Sequence, residues 1–203
     1  MKLYYSPGAC SLSTHIALLE AGMTAELVQV DVRGHKLVKD GSDFYAITPL
    51  GYVPILELDD GTRLSEGVAI VQYIADQVPE KNLAPANGTL ARYQLQSWLN
   101  FITTELHKGF GPLFKPTTPE VYKPVATEAL LNRLAFMDAH LAKQQYVASN
   151  EFSVADAYLF TVLGWAPHVG IDLSPFAHLQ AFQGRVAARP AVQAALKAEG
   201  LLK

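Results

Sequence analysis

The sequence predicts two domains of different class: an α/β domain with a mixed sheet over residues 1–80 and an all-α domain over 88–203, joined by a linker at 81–87. Three observations carry this. Strand and helix patterns alternate through the first eighty residues, and no convincing strand pattern recurs after the polar, Pro- and Gly-containing stretch 79–88. The charge is also split, with 5 basic and 11 acidic side chains in residues 1–80 against 11 and 8 in residues 81–203.

In the first half, Lys2-Leu3-Tyr4-Tyr5 suits a strand that the Pro7-Gly8 pair ends. Leu12, Ile16, Leu19 and Met23 follow at helical spacing, with Ser11 placed to cap the start and Gly22 near the stop. Residues 25–32 alternate as a strand, a charged stretch runs to Asp43, and a short helical piece is expected over 44–47. Residues 53–58 and 62–65 read as a hairpin whose Asp60-Gly61 turn supplies a positive φ. A helix then begins at Gly67, carries Val71, Ile74, Ala75 and Val78 on one side, and stops at Pro79.

In the second half, Leu95, Trp98, Leu99, Ile102 and Leu106 trace one helix face, and Leu130, Leu134, Met137 and Leu141 another. Ser153-Val154-Ala155-Asp156 resembles a capping box opening an apolar helix, and two further helices are marked by Leu179, Phe182 and Val186 and by Val192, Ala195 and Leu196.

Composition excludes several classes. Half of the 203 residues are apolar, which suits a globular protein with a large core. The single cysteine can form no internal disulfide, and Met1 to Tyr5 lack the features of a secretory signal, so a cytoplasmic location is expected. The longest apolar segment, 157–167, is broken by Thr161 and Gly164 and falls short of the roughly 20 residues of a membrane helix. A net charge of −3 without a basic run makes nucleic acid an unexpected partner. The histidines form no HxxxH or Cys/His set, so no metal site is expected.

Four places could carry chemistry. Cys10 precedes the first helix, where unpaired N–H groups and the helix dipole favour a thiolate over the ordinary thiol, whose pKa is about 8.5; the alternative is a small buried hydrophobe. Serine stands at Ser13, where a dithiol motif has its second cysteine, so Cys10 could form a mixed disulfide with a small thiol but has no resolving partner in the chain. Pro54, opening a strand, is a candidate for a cis peptide bond that turns the Val53 backbone toward a peptide ligand. Ser65-Glu66-Gly67 brings a carboxylate and a helix N-terminus together, able to hold the ammonium and carboxylate of an amino acid, unless Glu66 is only a dipole-favoured first-turn residue. Asn100, Thr103, Thr104 and His107 form a polar stripe on the Trp98 helix; His107 could hydrogen-bond a thiolate or relay a proton, or be a surface residue at the helix C-terminus, with Lys108 beside it.

Together these residues resemble the cytosolic glutathione transferases, most closely the bacterial beta class. The resemblance runs through Tyr5 to His15 with its Pro-Gly-Ala-Cys-Ser core, Thr48 to Pro54, Leu64 to Ile70, Asn100 to Phe114, and Phe152 to Tyr158. It departs at Thr48, where the family commonly has asparagine, and at Leu50, often basic or polar there. It implies a thioredoxin-like N-terminal domain, an all-α C-terminal domain, and glutathione as co-substrate with no prosthetic group. By resemblance, Cys10 is the residue at the glutathione sulfur, Pro54 the cis-proline, Val53 the backbone partner of the cysteinyl unit, and Glu66 and Gly67 the binders of the γ-glutamyl end. Asn100 and His107 reach over from the helical domain, with Lys36, Tyr52 and Lys108 as weaker glutathione contacts. Tyr5, Phe110, Phe114 and Trp165 are candidate linings of the second-substrate pocket, while Ser153 and Asp156 are structural.

The leading expectation is an enzyme that directs the glutathione thiolate at an electrophilic carbon of a largely apolar small molecule, in detoxification-type conjugation. The alternatives are a glutathione-dependent thiol–disulfide reductase or peroxidase working through Cys10, and a non-catalytic binding protein on the same fold. The resemblance also implies a homodimer.

Overall fold

The computed structural model describes residues 1–202 and divides into two compact units, residues 1–84 with the chain from Arg189 onward, and Pro85–Ala188.

The first unit is built on a five-stranded mixed sheet. Its strands are β1 (Lys2–Tyr5), β2 (Glu26–Asp31), β3 (Lys36–Leu37), β4 (Ile55–Glu57) and β5 (Arg63–Leu64), in the spatial order β3-β2-β1-β4-β5. β1 runs parallel to β2, with Leu3 opposite Leu27, and antiparallel to β4, with Leu3 opposite Leu56. Side chains alternate across the sheet. Tyr4 and Ile55 therefore share one face, where they pack with Val30, Phe44 and Val53. Helices α1 (Ser11–Glu20) and α2 (Gly67–Gln77) pack on each other and bury Leu12, Ile16, Ile70 and Ile74. Burial of side chains of this size stabilises by about 1.5–3 kcal/mol each.

Three expectations change here. The hairpin strands are shorter than 53–58 and 62–65, because Pro54 has no N–H to give a ladder and β4 starts only at Ile55. The stretch before Asp43, expected without regular structure, contributes β3, which pairs antiparallel with β2. Ser11 is the first helical residue of α1 rather than its cap, and Cys10 holds the cap position.

The C-terminal helix α8 (Pro190–Ala198) also belongs to this unit, so the helical domain expected over 88–203 ends at Ala188. Val192 and Ala195 are buried, and α8 packs on α1. The Arg189 guanidinium grips the Glu20 carboxylate through two hydrogen bonds of 2.6 and 2.8 Å. Helical periodicity reveals such a helix but not which unit it closes.

The second unit is helical: α3 (Leu90–Phe101), α4 (Lys108–Phe114), α5 (Lys123–Leu141), α6 (Val154–Leu163) and α7 (Ala177–Ala187). Thr89 caps α3 by accepting the Arg92 N–H at 3.2 Å. The helix expected around Trp98 does not end near His107. It passes through a π-helical segment, Ile102–His107, and continues as α4 to Phe114. α6 is buried nearly all round, as its continuous apolar sequence requires. Asp156 anchors its start, accepting hydrogen bonds from the N–H groups of Val147 and Ser153 at 2.7 Å and from the Ser153 hydroxyl at 2.8 Å. Among the described residues no helix is long and apolar enough to cross a membrane.

Candidate active site

Pro7-Gly8 ends β1, and the chain turns through Gly8 at φ +70° into α1. The Ser11 hydroxyl closes this loop, accepting the Ser6 N–H at 3.1 Å and donating to the Ser6 carbonyl at 3.2 Å. Ser13 donates to the Cys10 carbonyl at 2.7 Å. Both serines thus serve the local backbone. Cys10 is half-buried, and its Sγ lies 3.2 Å from the Val53 carbonyl oxygen, to which the thiol donates.

That contact joins the Cys10 loop to the segment before β4. The Val53-Pro54 peptide bond is cis. A Cβ added at Gly67 would lie 3.5 Å from Pro54 Cγ, so the first turn of α2 sits directly against the proline. Immediately before it, Glu66 is held at φ 64°, a left-handed conformation costly for a residue with a side chain. Its exposed carboxylate makes no hydrogen bond or ion pair among the described residues. Cys10, Val53, Pro54, Glu66 and Gly67 therefore lie side by side: a thiol, a backbone segment with a cis-proline, and a helix N-terminus with an available carboxylate.

Tyr52 is 66% exposed beside these residues, and Lys36 is exposed at the start of β3. The loop carrying Tyr52 is held from below: His35 sits at φ 51°, its ring 4.6 Å from that of Tyr45 and its Nδ1 3.3 Å from the Gly51 carbonyl. Gly51 is at φ 64°, and a Cβ there would fall 2.6 Å from His35 Nδ1 and 2.8 Å from the Tyr45 ring. Gly51→Ala is accordingly expected to cost about 1–3 kcal/mol, read as a lower urea midpoint; a change below about 0.5 kcal/mol would show the His35 clasp to be dispensable.

Tyr5 has little exposed surface. It is buried against His15, with ring centroids 6.4 Å apart, and burial, helped by the Glu199 carboxylate, holds its phenol above the ordinary range.

In the helical unit the expected polar stripe is split. A π turn bonds i to i+5 and widens the helix, so seven-residue spacing no longer returns to the same face. Asn100 and Thr104 line an open cavity of about 500 Å³ with Phe101, Glu105, Arg133 and Phe136. His107 is instead turned partly inward. Its Nδ1 lies 2.7 Å from the Tyr158 hydroxyl, and its ring meets Trp165 edge-on at 4.7 Å. Burial, with the nearby Lys108 charge adding to it, lowers the His107 pKa from 6.5 to about 4, so the ring is neutral at pH 7. Phe110 has no exposed surface and packs behind Trp165 as a core residue, whereas Phe114 is 46% exposed and Trp165 half-buried. Lys108 is exposed. Of the expected linings, Tyr5 and Phe110 are thus buried while Phe114 and Trp165 keep exposed surface, a distinction that spacing along a helix or strand face does not carry.

Sequence reasoning missed two partners. Tyr158 was legible as part of an apolar helix and as the end of the resembling stretch Phe152 to Tyr158, but not as the partner of His107. Glu199, which accepts from His15 Nδ1 at 2.9 Å and from the Gly8 N–H at 2.9 Å, lies 184 residues from His15 with no local signal.

Comparison with known proteins finds matches over both halves of the chain. Residues 8–77 match the glutathione S-transferase N-terminal domain and residues 101–190 the glutathione S-transferase C-terminal domain. The chain belongs to the glutathione S-transferase family, and it is an enzyme of that class. It is 50% identical to glutathione S-transferase GstA of Escherichia coli O157:H7, over 99% of this chain and all of that one. Among solved structures it is similar to a sphingomonad glutathione S-transferase complexed with glutathione, at 51% identity and a TM-score of 0.95 with both chains fully covered. The bacterial beta class glutathione S-transferase of Sphingomonas chungbukensis matches at 51% identity, TM-score 0.96 and full coverage of both chains.

Proposed function

We propose that Cys10, Val53, Pro54, Glu66 and Gly67 bind glutathione, with Tyr52 and Lys36 at its edge, and that His107 of the helical unit takes part in the reaction, Asn100 and Lys108 being lesser contributors. The observation that carries this reading is the contiguity of Cys10 Sγ, the Val53 carbonyl, Pro54 and Gly67 beside an unengaged Glu66 carboxylate. A γ-glutamyl ammonium suits Glu66, a carboxylate suits the α2 N-terminus, and an extended peptide suits the Val53 backbone. The sphingomonad relative was solved with glutathione, which supports the same ligand here.

The reaction is attack of the glutathione sulfur on an electrophilic carbon of a largely apolar small molecule: a C–S bond forms, the leaving group departs with its electron pair, and the thiol proton passes to solvent. The half-exposed Phe114 and Trp165 suit an apolar second substrate. We take the protein to be a cytoplasmic homodimer that serves detoxification, as the family resemblance implies.

The test is the steady-state rate of glutathione conjugation to an activated aryl halide for the wild type, Cys10→Ala and His107→Ala. Wild-type turnover is expected, with at least a tenfold lower kcat/KM in each variant. Full activity in a variant would remove that residue from the assignment, and no wild-type turnover would overturn conjugation. The accessible Cys10 beside the Val53 backbone also favours a second reading: its thiolate attacks glutathione disulfide, forming a mixed disulfide and releasing one glutathione. A glutathione adduct in the intact mass, absent in Cys10→Ala, reads this out.

A further inference from the structure

We infer that Tyr158 is a positioning residue that fixes His107 as its Nε2–H tautomer, so that His107 acts as a hydrogen-bond donor and not as a general base. The inference rests on the reading that His107 takes part in the reaction, and it decides between the two roles a histidine could play there.

The argument begins with the helix. Ile102–His107 is a π segment between two α-helical stretches, and such single wide turns recur at functional sites because they re-aim side chains. Here the segment carries His107 toward Tyr158 of α6, whose hydroxyl lies 2.7 Å from Nδ1. Trp165 holds the ring edge-on, with ring planes 74° apart, and Tyr158 meets it at 77°, so the imidazole is confined in orientation. A neutral imidazole has one N–H and one acceptor nitrogen. A phenol is the better donor of this pair and an imidazole nitrogen the better acceptor, so the Tyr158 O–H donates to Nδ1. The proton then resides on Nε2, and the face of the ring turned from Tyr158 offers a donor. A donor there serves an anion, whether thiolate or carboxylate, and can take no proton from a thiol. Tyr158 itself is buried in the α6 core, so its hydroxyl is held where it is.

The experiment is long-range ¹H–¹⁵N correlation spectroscopy of histidine-labelled protein at pH 7, with conjugation kinetics, on wild type, Tyr158→Phe and His107→Ala. In the wild type His107 Nδ1 is expected to be unprotonated and Nε2 protonated. In Tyr158→Phe, an isosteric change, the His107 signals should move to a mixture of tautomers, and kcat/KM for glutathione should fall about three- to tenfold, the effect of one hydrogen bond. A wild-type His107 protonated on Nδ1, or an unchanged tautomer in Tyr158→Phe, overturns the inference. Unchanged kinetics in His107→Ala would instead overturn the reading that His107 takes part, while the spectra still decide what Tyr158 does to it.

Discussion

Glu199→Ala is expected to destabilise the protein by about 2–4 kcal/mol, because it removes the shared acceptor of the His15 Nδ1–H and the Gly8 N–H in a place closed to water. The Glu199 side chain has no exposed surface and that of His15 only 6%. Oε1 receives the His15 Nδ1–H, Oε2 receives the Gly8 N–H, and Leu201 two residues on lies within 3.6 Å of where a Gly8 Cβ would be. The end of α8 therefore clamps the loop that carries Cys10. Urea unfolding measures the stability, and the rate of Cys10 alkylation below the transition measures loop opening; both should change in the variant. A loss under about 1 kcal/mol would mean that the pair contributes little beyond packing. The double variant His15→Leu/Glu199→Leu is expected to recover much of the stability, since replacing a buried pair by apolar groups is often neutral, but not the closure of the loop.

Asp156→Ala is expected to cost about 2–4 kcal/mol, because it orphans the N–H groups of Val147 and Ser153 in a buried place and removes the anchor of α6. The pH dependence carries a sharper signature. Burial, outweighing the three donors, pushes the Asp156 carboxyl from 3.8 up to about 6. A raised pKa favours the fold below the unfolded value, and that contribution is lost as pH rises through about 6. His107 works in the opposite sense: the unfolded chain takes up its proton below 6.5 and the folded chain only near 4, so stability falls as pH drops across that range. Each displacement is worth roughly 3 kcal/mol. The two contributions nearly cancel between pH 4 and 6.5 in the wild type. Asp156→Asn should unmask the histidine and lose about 3 kcal/mol on acidification from pH 6.5 to 4, whereas His107→Gln should gain stability over the same range. Parallel pH profiles for the two variants would refute this assignment.

Much of the fold was legible because its signals are local. Pro7-Gly8, Asp60-Gly61 and Pro79 mark chain breaks, and the periodicity of Leu130, Leu134, Met137 and Leu141 returns as the buried face of α5. Cys10 and Glu66-Gly67 could be singled out because each lies at a helix start, where polar backbone groups are exposed whatever the tertiary context. The Ser153–Asp156 box was legible for the same reason.

The rest depends on groups far apart in the chain. Helical spacing assumes a constant 3.6 residues per turn, so the π turn at Ile102–His107 invalidated the stripe that joined Asn100 to His107. Whether an aromatic residue lines a surface or fills a core is a matter of what covers it, which placed Phe110 and Tyr5 inside. By itself the sequence determined the two element patterns, the family resemblance and the residues that open the helices. Only the tertiary structure decided that α8 closes the first unit through Glu199, that Cys10 meets the Val53 carbonyl, and that Tyr158 holds His107. The physical reason is that propensity and capping act within a few residues, whereas burial and hydrogen-bond partnership between distant groups exist only once the chain has folded.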